Sequence, residues 1–214
     1  MKKISFSLFL LALGALVCRG QTTTSYDLGR LFADHKLTVF SGDTIKVLSE
    51  GKYHGVTCSG IVWINDVNFT TGTIDIDIRG RDVYQQSFLG IAFHGIDTTT
   101  YDAVYFRPFN FQSADALRKM HRVQYISAPD YPWERLREQH PLVYENTISP
   151  APDPKKWLHA HIVVTKDEIA VYVNHAVTPS LKVKKLNNRT TGLIGLWDVY
   201  YAGDFANLVI RNEK

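Results

Sequence analysis

The run Thr73-Ile74-Asp75-Ile76-Asp77-Ile78-Arg79 alternates apolar and polar residues without a break. Successive side chains of a β-strand point to opposite faces, so Ile74, Ile76 and Ile78 fall on one side and Asp75, Asp77 and Arg79 on the other. Three more strand-like runs follow at 88–94, 101–107 and 121–126. Placed in one antiparallel sheet, they predict a single polar surface bearing Asp75, Asp77, Arg79, His94, Tyr105, Arg107 and Gln124, with a core behind it.

The same texture extends in both directions. Short strands are expected at 37–40, 44–48 and 60–64, separated by Ser41-Gly42-Asp43 and Glu50-Gly51-Lys52. Later ones fall at 157–164 and 169–174, joined as a hairpin by Thr165-Lys166-Asp167-Glu168, and then at 181–183, 192–197 and 205–210. Strands at this spacing, with Gly, Asn and Asp between them, predict an all-β sandwich or barrel. Residues 21–35, Thr-rich and then mixed, are expected to be a tether into a domain at 36–214. Two stretches break the pattern. In 109–120, Ser113 is placed to cap a short helix through Ala116, Leu117 and Met120. Residues 127–154 hold six of the eight prolines, with room for one or two helical turns from Asp130 through Arg137. A connection this long inside a compact β domain is usually functional or loosely ordered, and its Tyr131, Trp133 and Tyr144 argue against disorder.

At 214 residues the chain fits one domain, or two at most, and is long enough to bury a core without disulfides or metals. Lys2 and Lys3, the apolar run 4–17 and Cys18-Arg19-Gly20 read as a secretory signal cut before Gln21, so the expected location is periplasmic or extracellular. Cys18 raises a lipoprotein anchor as a rival, against which stands Val17 where such sites want a small residue. The apolar run is too short to span a bilayer. Removing residues 1–20 takes the basic residues from 24 to 21, against 21 acidic. A neutral chain lacks the basic field that drives nucleic-acid binding, which excludes that class of partner. Cys58, then the only cysteine, reads as a small buried hydrophobe.

The C-terminal third resembles the concanavalin A-like lectin/glucanase superfamily. The resemblance rests on Trp157-Leu158-His159-Ala160-His161-Ile162-Val163-Val164, Val171-Tyr172-Val173-Asn174, Gly192-Leu193-Ile194-Gly195-Leu196-Trp197 and Phe205-Ala206-Asn207-Leu208-Val209-Ile210, in that order. Within the superfamily the chain is most similar to secreted laminin-G-like domains and to the domain family named for 3-keto-disaccharide hydrolases. The resemblance implies a jelly-roll sandwich of two antiparallel sheets over roughly 36–212, with a concave sheet that often binds sugar. The glucanase branch carries Glu-X-Asp-X-X-Glu where this chain has Asp75-X-Asp77-X-Arg79, so no catalytic role carries over. Ser87-Phe88-Leu89-Gly90-Ile91 only loosely echoes the keto-disaccharide family's central strand.

Candidate chemistry gathers in a few places. Asp75 and Asp77, two apart on a strand, have Cα atoms about 6.6 Å apart, compatible with the roughly 5 to 5.5 Å carboxyl separation of retaining glycosidases; the plainer alternative is a polar face on which Arg79 compensates two acids. His94 and His121 stand at strand edges as candidate bases or structural histidines. Tyr105, Arg107 and Asn110 combine a stacking ring with planar hydrogen-bonding groups, as sugar sites require; Gln124, Tyr125 and Trp133 join them as binding candidates. Glu134, Glu138 and Glu145 lie in the insertion and can bring an acid over the sheet. His159 and His161, at i and i+2, can both reach a metal but lack a third ligand at telling spacing; a structural calcium on Asp97 or Asp204 has no diagnostic loop. No cofactor motif is present. The expected function is recognition of a glycan on the concave face. The first alternative is glycoside hydrolysis of a (3-keto-)disaccharide or glucoside, with Asp77 or an insertion Glu as acid and His94 or His121 as base. A laminin-G-like protein-interaction module is the second.

Overall fold

The computed structural model describes residues 21–40 and 42–213; the expected signal and Cys18 lie outside them. In chain order the elements are β1 (Gln21–Tyr26), α1 (Leu28–Ala33), β2 (Leu37–Thr38), β3 (Ile45–Glu50), β4 (Tyr53–Phe69), β5 (Gly72–Arg79), β6 (Ser87–Gly95), β7 (Tyr101–Phe106), α2 (Ala116–Lys119), β8 (Val123–Ala128), α3 (Trp133–Gln139), β9 (Glu145–Asn146), β10 (Leu158–Val164), β11 (Glu168–Val173), β12 (Leu181–Lys184) and β13 (Gly192–Glu213).

Two antiparallel layers are built around β13. Its second half pairs with β5, followed outward by β10, β11 and β12, and on its other edge with β1 and the start of β4; this is sheet I. Its first half pairs with β6, followed by β7, β8 and β9, and on its other edge with the end of β4; this is sheet II. Both β13 and β4 therefore run through both sheets, bending where their register slips between Asp198 and Gly203. Gly60 of β4 takes φ +78° at the bend, in the left-handed region, and a side chain there would strike the Asp43 carboxylate. The alternation that opened the sequence now has a physical meaning: Ile74, Ile76 and Ile78 are buried against Leu89, Ile91, Phe93, Val104 and Phe106 of sheet II. Two inner faces interdigitating in this way make a jelly-roll sandwich.

Two expectations change. Residues 21–35 are not a free tether: β1 lies in register along the end of β13, and α1 is capped by Asp27, whose side chain accepts from the Arg30 amide. The cap of α2 is Asp115 rather than Ser113, because the Ser113 hydroxyl is taken by the Asp115 amide.

Candidate functional site

Trp197 of β13, Gly90 of β6, Tyr105 of β7, Gln124 of β8 and Glu145 of β9 are successive register partners. They form one row across the face of sheet II turned away from the core. A Cβ at Gly90 would lie 2.0 Å from the Val104 carbonyl oxygen. The bare backbone there also lets the Tyr105 and Trp197 rings close over it, with centroids 4.8 Å apart. Arg107, two residues beyond Tyr105 and so on the same face, donates to the Tyr105 hydroxyl at 2.7 Å, to Gln124 Oε1 and to the His121 carbonyl at 3.2 Å. Tyr105 in turn donates to Gln124 Oε1 at 2.8 Å. Burial pushes the Tyr105 phenol up to about 12, so it stays a donor at neutral pH. Burial also lowers the Arg107 pKa from its usual value, but a guanidinium starts so high that it remains charged.

The Glu145 carboxylate, only 2 % exposed, closes the row. It accepts two N–H groups of Arg137 from α3, at 3.0 and 2.9 Å, lies 2.7 Å from His121 Nδ1 and 3.6 Å from Arg107. Burial depresses the His121 pKa, and Arg137 and Arg107 add to this against the pull of Glu145. His121 is therefore neutral at pH 7. Helix α3 docks through Leu136, which packs over Ala92, Ala103 and Ile126 of the same face. Small residues there leave the helix its seat, and the docking stands Arg137 and Trp133 beside the row.

Of these groups Trp197, Tyr105, Arg107, His121, Arg137 and Trp133 line a recess of about 520 Å³. One wall is a contiguous aromatic chain: Tyr84 meets Phe109 at 5.7 Å, Phe109 meets Phe88 at 5.2 Å and Phe88 meets Tyr200 at 5.9 Å between centroids. Tyr84, Trp133 and Tyr200 are 56 %, 42 % and 72 % exposed, so large rings stand at the mouth in water. A larger hollow, about 780 Å³, lies around Arg79, Arg81 and Asp204. Arg79 and Arg81 are both committed to Asp204 there, at 2.9 Å, the other charged groups of its lining are Lys46, Asp82 and Lys155, and no aromatic side chain lines it. The chemistry therefore favours the recess on sheet II.

The structure brings together Tyr105, Arg107, Asn110, His121, Gln124 and Trp133 of the expected residues, with Glu145 from the insertion beneath them. Asn110 is a positioning group: it donates to the His121 carbonyl at 3.1 Å and accepts from Arg118 at 3.0 Å. The expected single polar surface is split. Asp75, Asp77 and Arg79 lie on sheet I and face away from the core, because β5 and β7 belong to different layers. There the two acids stand in register with His161 and His159 of β10, at 2.7 and 2.8 Å. This cross-strand ladder uses the four side chains that had been candidates for acid catalysis and metal binding. Arg79 pairs with Glu50 and Asp204. His94 and Tyr125 point into the core. His94 has its Nε2 2.7 Å from the Thr70 carbonyl oxygen, and Tyr125 donates to Asp102 at 2.8 Å. Asp97 holds its own loop through Thr99 and Thr100. Among the described residues no three His, Cys, Asp or Glu side chains converge into a metal-holding group. Glu134 and Glu138 are exposed on α3.

Sequence reasoning missed Trp197, Phe88, Arg118 and Arg137. Phe88 and Trp197 were quoted only for strand likeness, although their alternation parity was readable. Arg118 and Arg137 sit on the short helices α2 and α3, whose docking no strand periodicity encodes.

No family model matches the chain, and no curated protein matches it either. Solved structures do. The carbohydrate-binding module CBM66 of Bacillus subtilis superposes with a TM-score of 0.52 at 15 % identity, covering 78 % of this chain and 93 % of its own. A Bacillus subtilis protein of unknown function with a galectin-like fold gives 0.56 at 10 % identity, over 89 % and 96 %. A putative glycosyl hydrolase from Parabacteroides distasonis gives 0.51 at 11 %, over 84 % and 89 %. At such identities the likeness is one of fold. The chain has the concanavalin A-like jelly-roll fold, as its C-terminal third led one to expect.

Proposed function

We propose that the protein is an exported glycan-recognition domain whose binding site is the recess on the outer face of sheet II. One observation carries this reading: exposed aromatic rings at the mouth and a floor of Arg107 and Tyr105, hydrogen-bonded to each other and to the buried Gln124 beneath, converge in one cavity. Sugar rings offer apolar faces for stacking and hydroxyl edges for planar donors and acceptors, and a small set of fixed polar groups in an aromatic pocket meets both needs. Two of the structures of like fold are a carbohydrate-binding module and a putative glycosyl hydrolase. That kinship of fold supports the reading without deciding it.

Hydrolysis fits the recess less well. A glycosidase of the usual kind needs two carboxyl groups flanking the bond, one of them free to move a proton. Glu145 lies buried beneath this floor, and both of its oxygens accept from Arg137. Of the other candidate acids, Asp77 stands on the other sheet and Glu134 and Glu138 are exposed on α3. No specific observation favours a protein-interaction module.

The test is titration calorimetry against a panel of plant, host and 3-keto oligosaccharides, with mass spectrometry of each mixture after overnight incubation. Binding without product is the expected result. Trp133→Ala should weaken it about tenfold, since ring stacking contributes roughly 0.5–1.5 kcal/mol beyond the area it buries, and should change the melting temperature little because the ring is 42 % exposed and packs on the Arg137 side chain rather than in the core. Product formation would establish the hydrolase reading instead. Saccharide binding that ignores Trp133→Ala would place the site elsewhere.

A further inference from the structure

The recess is built with more positive than negative charge, although the chain from Gln21 onward is formally neutral. Arg107 and Arg137 share the single carboxylate of Glu145, and the neutral His121 adds nothing. Arg118 is a third guanidinium on the lining. Its Nε donates to Asn110 Oδ1 at 3.0 Å, its Nη2 to the Phe109 carbonyl at 2.6 Å, and its plane lies 4.4 Å from the Tyr84 ring centroid. Asp115, the acid nearest in sequence, is occupied by the helix cap, accepting from the Arg118 backbone amide at 2.7 Å. Among the described residues the Arg118 side chain forms no ion pair.

Arg118 is thus held rigid by neutral partners and carries its charge uncompensated. A guanidinium has five N–H donors, of which two are used here, leaving both protons of Nη1 and one of Nη2. That fork matches the paired oxygens of a carboxylate or sulfate, and because it is already fixed, little freedom is lost when an anion docks. Neutral sugar hydroxyls need no such cation.

We propose that the saccharide taken by this recess is anionic, with a carboxylate or sulfate group seated on Arg118 and a sugar ring against the adjoining aromatic wall. The inference rests on the glycan-recognition reading above and narrows it to acidic glycans.

The test uses matched probes: galactotriose against trigalacturonate, cellotriose against its glucuronate counterpart, and galactotriose against its sulfated form, all by titration calorimetry at low salt. The acidic member of at least one pair should bind about tenfold more tightly than its neutral partner, with affinity falling as salt is added. Which acid responds distinguishes a uronate from a sulfated ligand. Arg118→Gln should abolish the preference for the acidic member, and Arg118→Lys should restore part of it; melting curves check that both variants fold. Equal binding within every pair, or a preference that survives Arg118→Gln, would overturn the anion site and leave glycan recognition standing. Silence of every probe and of the wider saccharide panel would overturn both.

Discussion

His159 lies between two carboxylates, with Nδ1 2.8 Å from Asp77 and Nε2 3.4 Å from Asp75. Hydrogen bonds to Asp75 and Asp77 raise its pKa from the ordinary 6.5 to about 9. Burial works against ionisation of the two acids, but bonds from His159, His161 and Arg211 outweigh it at Asp75, and bonds from His159 and Asn207 do so at Asp77, so both carboxyls titrate below their usual range. The signs are opposite for base and acid. The contribution of His159 to stability is complete below about pH 6.5 and is lost as pH rises through about 9; that of the aspartates is present above about pH 4 and is lost as pH falls below it. Melting temperatures of wild type and His159→Gln should therefore differ most between about pH 4 and 6.5 and converge above pH 9. A constant difference across that range would show that the imidazolium is not the source. The sequence made both motifs visible, Asp75 with Asp77 and His159 with His161, but not their pairing. Alternation tells which face of a strand a residue takes, whereas the neighbour across the ladder depends on a connection of some eighty residues.

At the scale of elements, the floor of the recess depends on β6 and β7 approaching without a side chain between them. Gly90→Ala should cost about 1–3 kcal/mol, read as a lower melting temperature, and should weaken saccharide binding by separating Tyr105 from Trp197. Unchanged binding by a folded variant would mean that the closed pair is not part of the site. The strand at 101–107 was legible down to the shared face of Tyr105 and Arg107, because a strand fixes parity by itself. Helix α3 was foreseen to within a few residues, and its Trp133 and Arg137 line the recess. What the sequence withheld was the side each strand serves: β5 and β7 alternate alike, yet they lie in different layers, and only the crossing of β13 decides that.

The whole molecule is threaded by β4 and β13, each of which belongs to both sheets. Neither layer can lose its central strand while the other stays intact. Thermal unfolding should be a single transition whose calorimetric and van't Hoff enthalpies agree; two separable steps would show that the layers fold independently. The all-β class and the hairpin of β10 and β11 were legible because they are local patterns. The long crossing strands were not, since the expected strands stop at 197, resume at 205 and start afresh at Gly60, where the chain bends within β13 and β4 instead of ending a strand. One feature of this layout bears on mechanics. Gln21 stands opposite Glu213 at the far end of the β1–β13 pair, so tension applied through these two positions breaks the hydrogen bonds of β1 one after another, as a zip opens, instead of shearing them together. A sandwich with a continuous core can resist heat as a unit and still yield its first strand to a gentle pull.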